Sequence, residues 1–434
     1  MIDERRAKGK MKKKSWFCAV GLLAGLVGHP ASAAVDVTCT RPSHVYDVGE
    51  KAVFKIGQTC PGVPITVNVV EGHSLTQALY TAVTVTPVQV AYALARPGFI
   101  RCHVRTNGTD GAQGPAALAG AAFEPHRLKP TLPPPEDFDR FWTDAFRELE
   151  SIPEDIRTRD LGDGLQMLSC ATANGKRQYA FLYLPPGPGP HPITINVGGG
   201  EAWRTVEIAR KEAEDARAQR HGFLHFHLPP YEPRENDGKA HHKAWLKENR
   251  ELKRFIYENL DREPRDLYFY PCILGCCRLV DIAVRNPRVD RAAVTYEGAS
   301  HGGGFGIFLT AFSPHIRAAY CGVPNFGNLA GELEGRSIGF IDKPLREVWQ
   351  KLRYYDAAYC ARRITVPVFM DVGFVDEFAP PDSIYTIYNQ LRGPKFIFNK
   401  LTDGHSTAPA LRNAILRAWC TNWSSLVAGP GSLQ

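Results

Sequence analysis

One serine in the middle of the sequence is flanked by glycines in a pattern that can support nucleophilic chemistry. The pentapeptide Gly298-Ala-Ser-His-Gly302 follows the apolar segment Ala292–Tyr296 and precedes the apolar segment Phe305–Phe312. A nucleophilic serine on a strained turn between a strand and a helix needs glycine two residues before and two after it, because side chains there would collide with the crossing backbone. The pattern therefore predicts that Ser300 is a nucleophile. The alternative is a glycine-rich loop without chemistry, since the pentapeptide alone is only moderately specific.

A serine nucleophile needs a base that takes its proton. The histidines that follow Ser300 are His301, His315 and His405. His301 is adjacent in sequence and would project away from its neighbour's hydroxyl, and His315 lies in a Ser-Pro-His turn. His405 lies in a glycine-containing loop after the apolar segment Lys395–Asn399, where an imidazole can reach a site. His405 is therefore the predicted base.

The base in turn needs a carboxylate that orients it, and with this serine turn the chain order is Ser, then Asp or Glu, then His. Asp376 follows the apolar segment Val366–Val372, which would present it at the carboxyl end of a strand. Open α/β sheets with parallel strands bind their ligands at that end. Glu377 is the main competitor. Weaker alternatives are Asp371, Asp382 and Asp403. The predicted triad is Ser300, Asp376 and His405, which would act through an acyl-enzyme.

Such a mechanism also needs backbone N–H groups that hold the negative oxygen of the reaction intermediate. One predicted donor is the amide of His301, directly after the serine. The other is Gly199 or Gly200 in the run Val197–Glu201, which follows an early apolar segment. The alternative for this run is a phosphate-binding loop, but it lacks the Lys-Ser/Thr of a P-loop and the G-x-G-x-x-G spacing.

Two further histidine pairs raise the question of a metal site. His225 and His227 alternate on a predicted strand, and His241 and His242 lie in a polar segment. No carboxylate at a diagnostic spacing accompanies them, so histidines at the surface or in the packing are the favoured interpretation. We predict no metal and no cofactor.

The elements that would position these groups alternate between strands and helices from about residue 160 onward. Several of the strands are continuous apolar runs, which is typical of strands covered on both faces. The predicted strands are Tyr179–Leu184, Ile193–Val197, Phe223–Leu228, Ala292–Tyr296, Ile316–Cys321, Val366–Val372 and Lys395–Asn399. The predicted helices are Arg204–Arg220, Asn249–Asn259 and Asp281–Arg285. This order predicts an α/β fold with a doubly wound, mostly parallel sheet in a domain over residues 137–425.

The chain before this domain has a different pattern. Short segments rich in Val, Ile, Thr and Phe, separated by turn residues, predict a small immunoglobulin-like β-sandwich over residues 34–123. The segments are Lys51–Ile56, Pro64–Val70, Ala82–Val88 and Phe99–Arg105. Cys39, Cys60 and Cys102 fall within this region, which leaves one internal disulfide as an option. A Pro-rich linker over residues 124–136 follows, and apolar residues at helical spacing then predict a helix capped by Asp137.

The first 33 residues predict export. Seven Lys or Arg side chains oppose two acidic ones there, so this stretch carries five of the seven net positive charges of the chain. Lys12–Lys14, the apolar run Trp16–Val27 and Ala31-Ser32-Ala33 have the order of a signal peptide cleaved after Ala33. The alternative is an N-terminal membrane anchor. Because little net charge remains elsewhere, we predict no nucleic-acid partner, no membrane partner after cleavage, and a secreted or periplasmic protein.

Residues 136–420 resemble the acetyl xylan esterase / cephalosporin-C deacetylase family (carbohydrate esterase family 7) of the α/β-hydrolase superfamily. Several motifs of that family stand in the same order here. They are Asp137–Trp142, Pro287–Arg291, Gly298–Gly304, Ile316–Ala319, Val323-Pro324, Tyr354–Asp356, Val366–Phe369, Gly373–Asp376, Pro380-Pro381, Gly393–Lys395 and Gly404-His405. The resemblance implies an α/β-hydrolase fold and serine-dependent hydrolysis of acetyl esters on xylo-oligosaccharides, without a cofactor. It carries the catalytic roles onto Ser300, Asp376 and His405.

The chain also departs from the pattern of that family. The family has Gln at the position of His301 and a His-Gly-Tyr loop at the position of Gly198–Glu201. The β-region over residues 34–123 is absent from the compact members, which form hexamers, so an oligomer of this chain stays an open prediction.

The function predicted from the sequence is that of a secreted serine esterase that removes acetyl or other small acyl groups from carbohydrate esters. Its partner would be an acetylated carbohydrate substrate. Two alternatives stay open, namely a serine hydrolase that acts on another ester or a peptide, and a catalytically inactive carbohydrate-binding relative.

Overall fold

The computed structural model of the protein describes residues 35–58, 64–72, 74–82, 88–107, 113–200, 202–233, 239–248, 262–339 and 349–407. The predicted signal peptide and the predicted helix Asn249–Asn259 lie outside these ranges. Within the described ranges, no helix is long and apolar enough to cross a membrane.

The N-terminal region, residues 35–123, consists of β-strands. They are β1 (Val35–Cys39), β2 (Val45–Tyr46), β3 (Ala52–Gln58), β4 (Pro64–Glu71), β5 (Ser74–Ala82), β6 (Val88–Tyr92), β7 (Gly98–Asn107) and β8 (Gln113–Phe123). One sheet has the strand order β1-β3-β6 and the other β2-β8-β7-β4-β5. Both contribute to one hydrophobic core, for example through Phe54 and Val104. The region is therefore all-β with a core of its own, while its immunoglobulin-like character stays a prediction.

Strand β8 is not among the strands predicted from the sequence. It is rich in Ala and Gly, which have little intrinsic preference for strands. Gly120 lets the strand approach the C-terminal part of the chain, because a Cβ atom there would lie 2.5 Å from Cβ of Phe374. Tertiary packing, and not local propensity, forms this strand.

The cysteines of the N-terminal region that the structure describes do not form a disulfide. Cys39 and Cys102 are both free, and burial raises the pKa of each thiol to about 12. The internal bridge left open by the sequence is therefore not formed between them, and Cys60 lies outside the described residues.

The segment predicted as a linker is held against the C-terminal region. The backbone N–H of Thr131 donates to Oδ1 of Asn328 at 2.8 Å, and the side chain of Asn389 donates to the carbonyl of Leu128 at 2.9 Å. The hydroxyl of Tyr359 donates to the carbonyl of Leu132 at 2.7 Å. These bonds attach the linker to the surface along which it runs.

The C-terminal region is built on a sheet of nine strands in the described part of the chain. They are β9 (Arg157–Gly162), β10 (Leu165–Ala171), β11 (Arg177–Tyr183), β12 (His191–Val197), β13 (Gly222–His227), β14 (Val289–Ala299), β15 (Ala318–Gly322), β16 (Val368–Gly373) and β17 (Lys395–Lys400). Their order is β17-β16-β15-β14-β12-β13-β11-β10-β9. Strands β12 to β17 pair in parallel, and β9, β10 and β11 add antiparallel pairs at one side. The predicted mostly parallel sheet is confirmed, and each of the seven predicted strands corresponds to one of its members.

Helices cover the sheet. They are α1 (Phe138–Ser151), α2 (Val206–Gln219), α3 (Lys239–Glu248), α4 (Phe269–Val284), α5 (His301–Phe312), α6 (Trp349–Leu352), α7 (Ala357–Ala361) and α8 (Pro381–Gln390). The predicted helix Asp281–Arg285 is only the end of α4, which is apolar on nearly all sides and therefore lacks a helical polar–apolar period. Asp137 is at the N-cap position of α1, as predicted, but its carboxylate accepts from the hydroxyl of Tyr354 at 2.7 Å and caps no backbone N–H.

Candidate active site

Ser300 lies on the turn between β14 and α5, with φ 59° and ψ −120°. This is a strained backbone conformation for a residue with a side chain. A Cβ atom at Gly298 would lie 2.7 Å from the carbonyl oxygen of Gly302, and one at Gly302 would overlap the carbonyl oxygen of Val197. The two flanking glycines are therefore required by packing, as the pattern of the pentapeptide predicts.

The three residues of the predicted triad lie together in one hydrogen-bonded line. Nε2 of His405 is 2.8 Å from Oγ of Ser300, and Nδ1 of His405 is 2.8 Å from Oδ2 of Asp376. The other carboxylate oxygen of Asp376 accepts from the backbone N–H groups of Phe378 and Ala379 at 2.8 and 2.9 Å. Asp376 is buried, so these three donors compensate for the water that its carboxylate has lost.

Hydrogen bonds between the acid loop (residues 373–380) and the histidine loop (residues 401–407) bring Asp376 and His405 together. Each loop follows the carboxyl end of a parallel strand, β16 or β17. The N–H of Phe374 donates to the carbonyl of Lys400 at 2.9 Å, and the N–H of Val375 donates to that of Asp403 at 3.3 Å. A carboxylate and an imidazole that are far apart in sequence thereby become neighbours at one edge of the sheet.

The competing histidines have other surroundings. The ring of His301 packs against Phe305 and Phe326, with ring centroids 4.8 and 5.3 Å away. Burial lowers the pKa of His301 to about 3, a shift that a backbone contact with Gly200 opposes. His315 lies elsewhere, with Nε2 3.1 Å from Oδ1 of Asp281.

The competing carboxylates are also engaged elsewhere. Glu377 accepts from Arg101 of β7 at 2.8 Å, and Asp382 accepts from Arg336 at 2.5 Å. Asp371 accepts from the hydroxyl of Tyr320 at 2.7 Å, and Asp403 accepts from the hydroxyl of Ser406 at 3.3 Å. Of the acids considered, Asp376 is the one hydrogen-bonded to His405.

The glycine loop after β12 passes beside the serine. A Cβ atom at Gly199 would lie 3.9 Å from Cβ of Ser300, whereas one at Gly200 would meet nothing within 4 Å. The amide of His301 begins helix α5 directly after the serine. The loop and the helix start therefore flank Ser300 from two directions, and Gly199 is the nearer of the two candidate glycines.

Asn325 is a neighbour of the serine that sequence analysis missed. Its Nδ2 lies 3.4 Å from Oγ of Ser300, and its backbone N–H donates to the carbonyl of Ser300 at 3.2 Å. An asparagine in a loop after a strand is common, so the sequence carries no sign of this contact. Only the pairing of β14 with β15 brings it there.

The remaining histidine pairs belong to polar contacts within the fold. Nδ1 of His225 is 2.8 Å from Oε2 of Glu212, and Nδ1 of His227 contacts the backbone of Arg204. Burial lowers the pKa of His225 to about 4 and that of His227 to about 3. The ring of His242 stacks on Trp203. Among the residues described, no group of three His, Cys, Asp or Glu side chains is arranged to hold a metal ion.

A mostly parallel sheet with a serine on the strand–helix turn and a histidine loop at its carboxyl edge is the architecture of an α/β-hydrolase. The sequence model of the acetyl xylan esterase (AXE1) family matches residues 123–333 and 340–423, which is more than half of the chain. The protein belongs to this family, and membership supports the class of carboxylic ester hydrolases.

Individual relatives agree with this assignment. The acetyl esterase Axe7A of Xylanibacter ruminicola is 24% identical over 385 residues, which cover 82% of this chain and 84% of that protein. Residues 123–434 make up less than 82% of the chain, so the alignment also includes part of the N-terminal region.

Two solved structures have the same fold. The acetyl xylan esterase from Paenibacillus sp. R4 is 20% identical with a TM-score of 0.57, and covers 68% of this chain and 97% of its own. Acetyl xylan esterase 1 from Thermoanaerobacterium sp. JW/SL YS485 is 21% identical with a TM-score of 0.54, and the match covers 68% of this chain and 96% of that protein. Both are nearly fully matched, whereas about a third of this chain has no counterpart in them.

Proposed function

We propose that the protein removes acetyl groups from carbohydrate esters such as acetylated xylan or xylo-oligosaccharides, with Ser300, His405 and Asp376 as its catalytic residues. The observation that carries the proposal is the line of two 2.8 Å contacts from the serine hydroxyl through the imidazole to the buried carboxylate. It occurs in a chain of the acetyl xylan esterase family, at the three positions to which the resemblance assigns catalysis.

In the acylation step, Nε2 of His405 takes the proton of the Ser300 hydroxyl while Oγ forms a bond to the ester carbonyl carbon. The carbonyl electron pair moves onto its oxygen, which becomes negative. When this intermediate collapses, the bond to the sugar oxygen breaks, and His405 gives its proton to that oxygen. Asp376 holds the imidazole through Nδ1 and stabilises its charged form.

In the deacylation step, a water molecule loses a proton to His405 and attacks the acyl carbon of the acetyl-serine. The second intermediate collapses with release of acetate, and Oγ of Ser300 regains its proton from His405. We assign the negative oxygen in both steps to the amides of His301 and Gly199, with Gly200 as the alternative. Loss of one such donor typically costs about 10²–10³ in rate.

Export belongs to the same proposal. The basic, apolar and small-residue segments of residues 1–33 support a secreted or periplasmic protein, where a polysaccharide substrate is accessible.

Replacing the serine tests the proposal directly. We expect Ser300→Ala to lower kcat for acetate release from acetylated xylan by about 10⁴-fold or more, with an unchanged circular dichroism spectrum. Ser151→Ala is the matched control, because Ser151 is an exposed serine at the end of α1, and it should keep wild-type activity. A Ser300→Ala protein that still releases acetate would contradict the assignment.

The acyl preference is tested by a series of esters with one alcohol and acyl chains of increasing length. We expect the rate to fall steeply beyond acetate or propionate. A rate that rises toward longer chains would favour an esterase for larger acyl groups, and release of amines from peptides would favour a peptidase.

A further inference from the structure

One face of the five-stranded sheet of the N-terminal region is turned toward the C-terminal region. In the register of β7 with β8, Arg101 pairs with Gly120 and His103 pairs with Leu118. Successive side chains of a strand point to opposite faces, so these residues share the face that points away from core residues such as Cys102. They form a row that runs along the sheet.

The end of this row at Arg101 and Gly120 is fixed to the loops that carry Asp376 and His405. Gly120 lies against Phe374, and its N–H donates to the carbonyl of Leu401 at 3.1 Å. Nη1 of Arg101 donates to Oε1 of Glu377 at 2.8 Å. The N-terminal sheet is therefore held in a defined position relative to the catalytic histidine.

Beyond this contact the same row forms one wall of a cleft of about 260 Å³, close to the lower bound of about 300 Å³ for ligand pockets. The sheet supplies His103, Arg105 and Leu118, and the acid loop supplies Val375, Glu377 and Phe378. His405 itself lines the cleft. The cleft thus continues directly from the proposed catalytic site.

Two large apolar side chains in this cleft are exposed. Phe378 is 61% exposed and its ring centroid lies 5.5 Å from that of His405, while Leu118 on the opposite wall is 36% exposed. Exposed apolar side chains beside a site, with polar groups around them, are typical of ligand-binding surfaces.

The mechanism indicates which part of the substrate lies here. His405 gives its proton to the sugar oxygen, so the sugar leaves from the side of the site that His405 borders. A sugar ring has an apolar face of C–H groups and a rim of hydroxyls. An aromatic ring suits the first and charged side chains such as Glu377 suit the second.

We propose that this cleft binds the sugar portion of the ester and that Phe378 and Leu118 determine the preference for sugar esters. The inference rests on the proposed function. It adds to that function a substrate-binding role for the N-terminal region, which lies outside the residues matched by the family model.

The test compares two acetates that differ only in the alcohol, monoacetylated xylobiose and ethyl acetate, by the ratio of their kcat/KM values. For Phe378→Ala and Leu118→Lys we expect this ratio to fall about tenfold through a higher KM for the sugar ester, as expected for the loss of one apolar contact with the sugar ring. Phe378→Trp should keep the ratio. The matched controls are Phe398→Ala and Leu333→Lys, which change exposed apolar residues outside the cleft and should leave both substrates unaffected.

The outcomes separate the two proposals. If the wild-type protein prefers xylobiose acetate and both cleft variants keep that preference, the inference is wrong and the proposed function stands. If the wild-type protein hydrolyses xylobiose acetate no better than ethyl acetate, the carbohydrate function fails and the inference fails with it. If Phe378→Ala lowers kcat for both acetates equally, Phe378 supports the triad and does not bind sugar, which also overturns the inference.

Discussion

Among the described residues, the contacts of Ser300 named above lie within the C-terminal region, whereas Asp376 and His405 lie on loops that also pack against the N-terminal region. On the serine side, Gly302 closes against the carbonyl of Val197 from the neighbouring strand β12. On the other side, Gly120 of β8 closes against Phe374 in the acid loop. Within one hydrogen-bonded line, the serine is therefore packed against the C-terminal region, and the loop that carries Asp376 is packed against the N-terminal region as well.

This difference shows that the candidate site draws on two regions of the chain. The serine side uses a motif whose glycines and neighbours are close together in sequence or on adjacent strands. The acid and histidine side is completed by residues about 250–300 positions earlier in the chain, through contacts such as that of Arg101 with Glu377. The N-terminal region is accordingly part of the environment of the site.

The largest effect is expected on the serine side. Gly302→Ala places a methyl group on the carbonyl oxygen of Val197, and neither backbone can move without disturbing the sheet. We expect a loss of about 3 kcal/mol or more in the free energy of unfolding, measured by urea denaturation, together with loss of esterase activity. Gly404→Ala in the histidine loop is the control for stability, because its Cβ would lie 3.9 Å from the nearest atom. Equal stability of both variants would contradict the tight enclosure of the serine.

A smaller effect is expected where the N-terminal region meets the acid loop. Gly120→Ala brings a methyl group to within 2.5 Å of Cβ and 2.7 Å of the carbonyl oxygen of Phe374, so the loop that carries Asp376 must shift. We expect kcat to fall about tenfold or more and stability to fall by about 1–3 kcal/mol.

The control for this variant is Gly57→Ala in β3. The three atoms nearest to its Cβ would all belong to the carboxylate of Asp36, the mobile end of an exposed side chain. It should keep wild-type kcat. If Gly120→Ala also keeps wild-type kcat, the acid loop does not depend on its contact with β8.

The smallest effect concerns pH and the buried imidazole next to the serine. His301 stays neutral in the folded protein down to pH about 3, whereas the unfolded chain binds a proton below its ordinary pKa of 6.5. Its contribution to stability is therefore fully present above pH 6.5 and is lost as the pH falls, by about 2 kcal/mol at pH 5.

We expect His301→Leu to remove this dependence, because leucine has no group that titrates. The measurement is the free energy of unfolding between pH 5 and pH 8 for both proteins. The two curves of unfolding free energy should run parallel between pH 6.5 and pH 8. Below pH 6.5 the wild-type curve should fall more steeply than that of the variant. Parallel curves over the whole range would show that His301 does not titrate on unfolding.

Much of the C-terminal fold could be predicted because its cues are local. The continuous apolar runs predicted strands such as Val366–Val372, observed as Val368–Gly373, since strands buried on both faces need them. Helix α4 was predicted only at its end, because a helix buried on nearly all sides has no polar face. Strand β8 was missed because packing against Phe374 outweighs the low strand preference of its residues.

The candidate site divides in the same way. The prediction of Ser300, Asp376 and His405 as a triad rests on residue type, glycine spacing and order along the chain, because the chemistry of acyl transfer restricts all three. The contacts of Asn325 with the serine and of Phe378 with the histidine depend on which strands are neighbours and on how loops pack. Residue type and local spacing are therefore enough to predict a reaction. The distances between remote segments, which determine the walls of the cleft, are set only when the whole chain folds and buries its apolar surface.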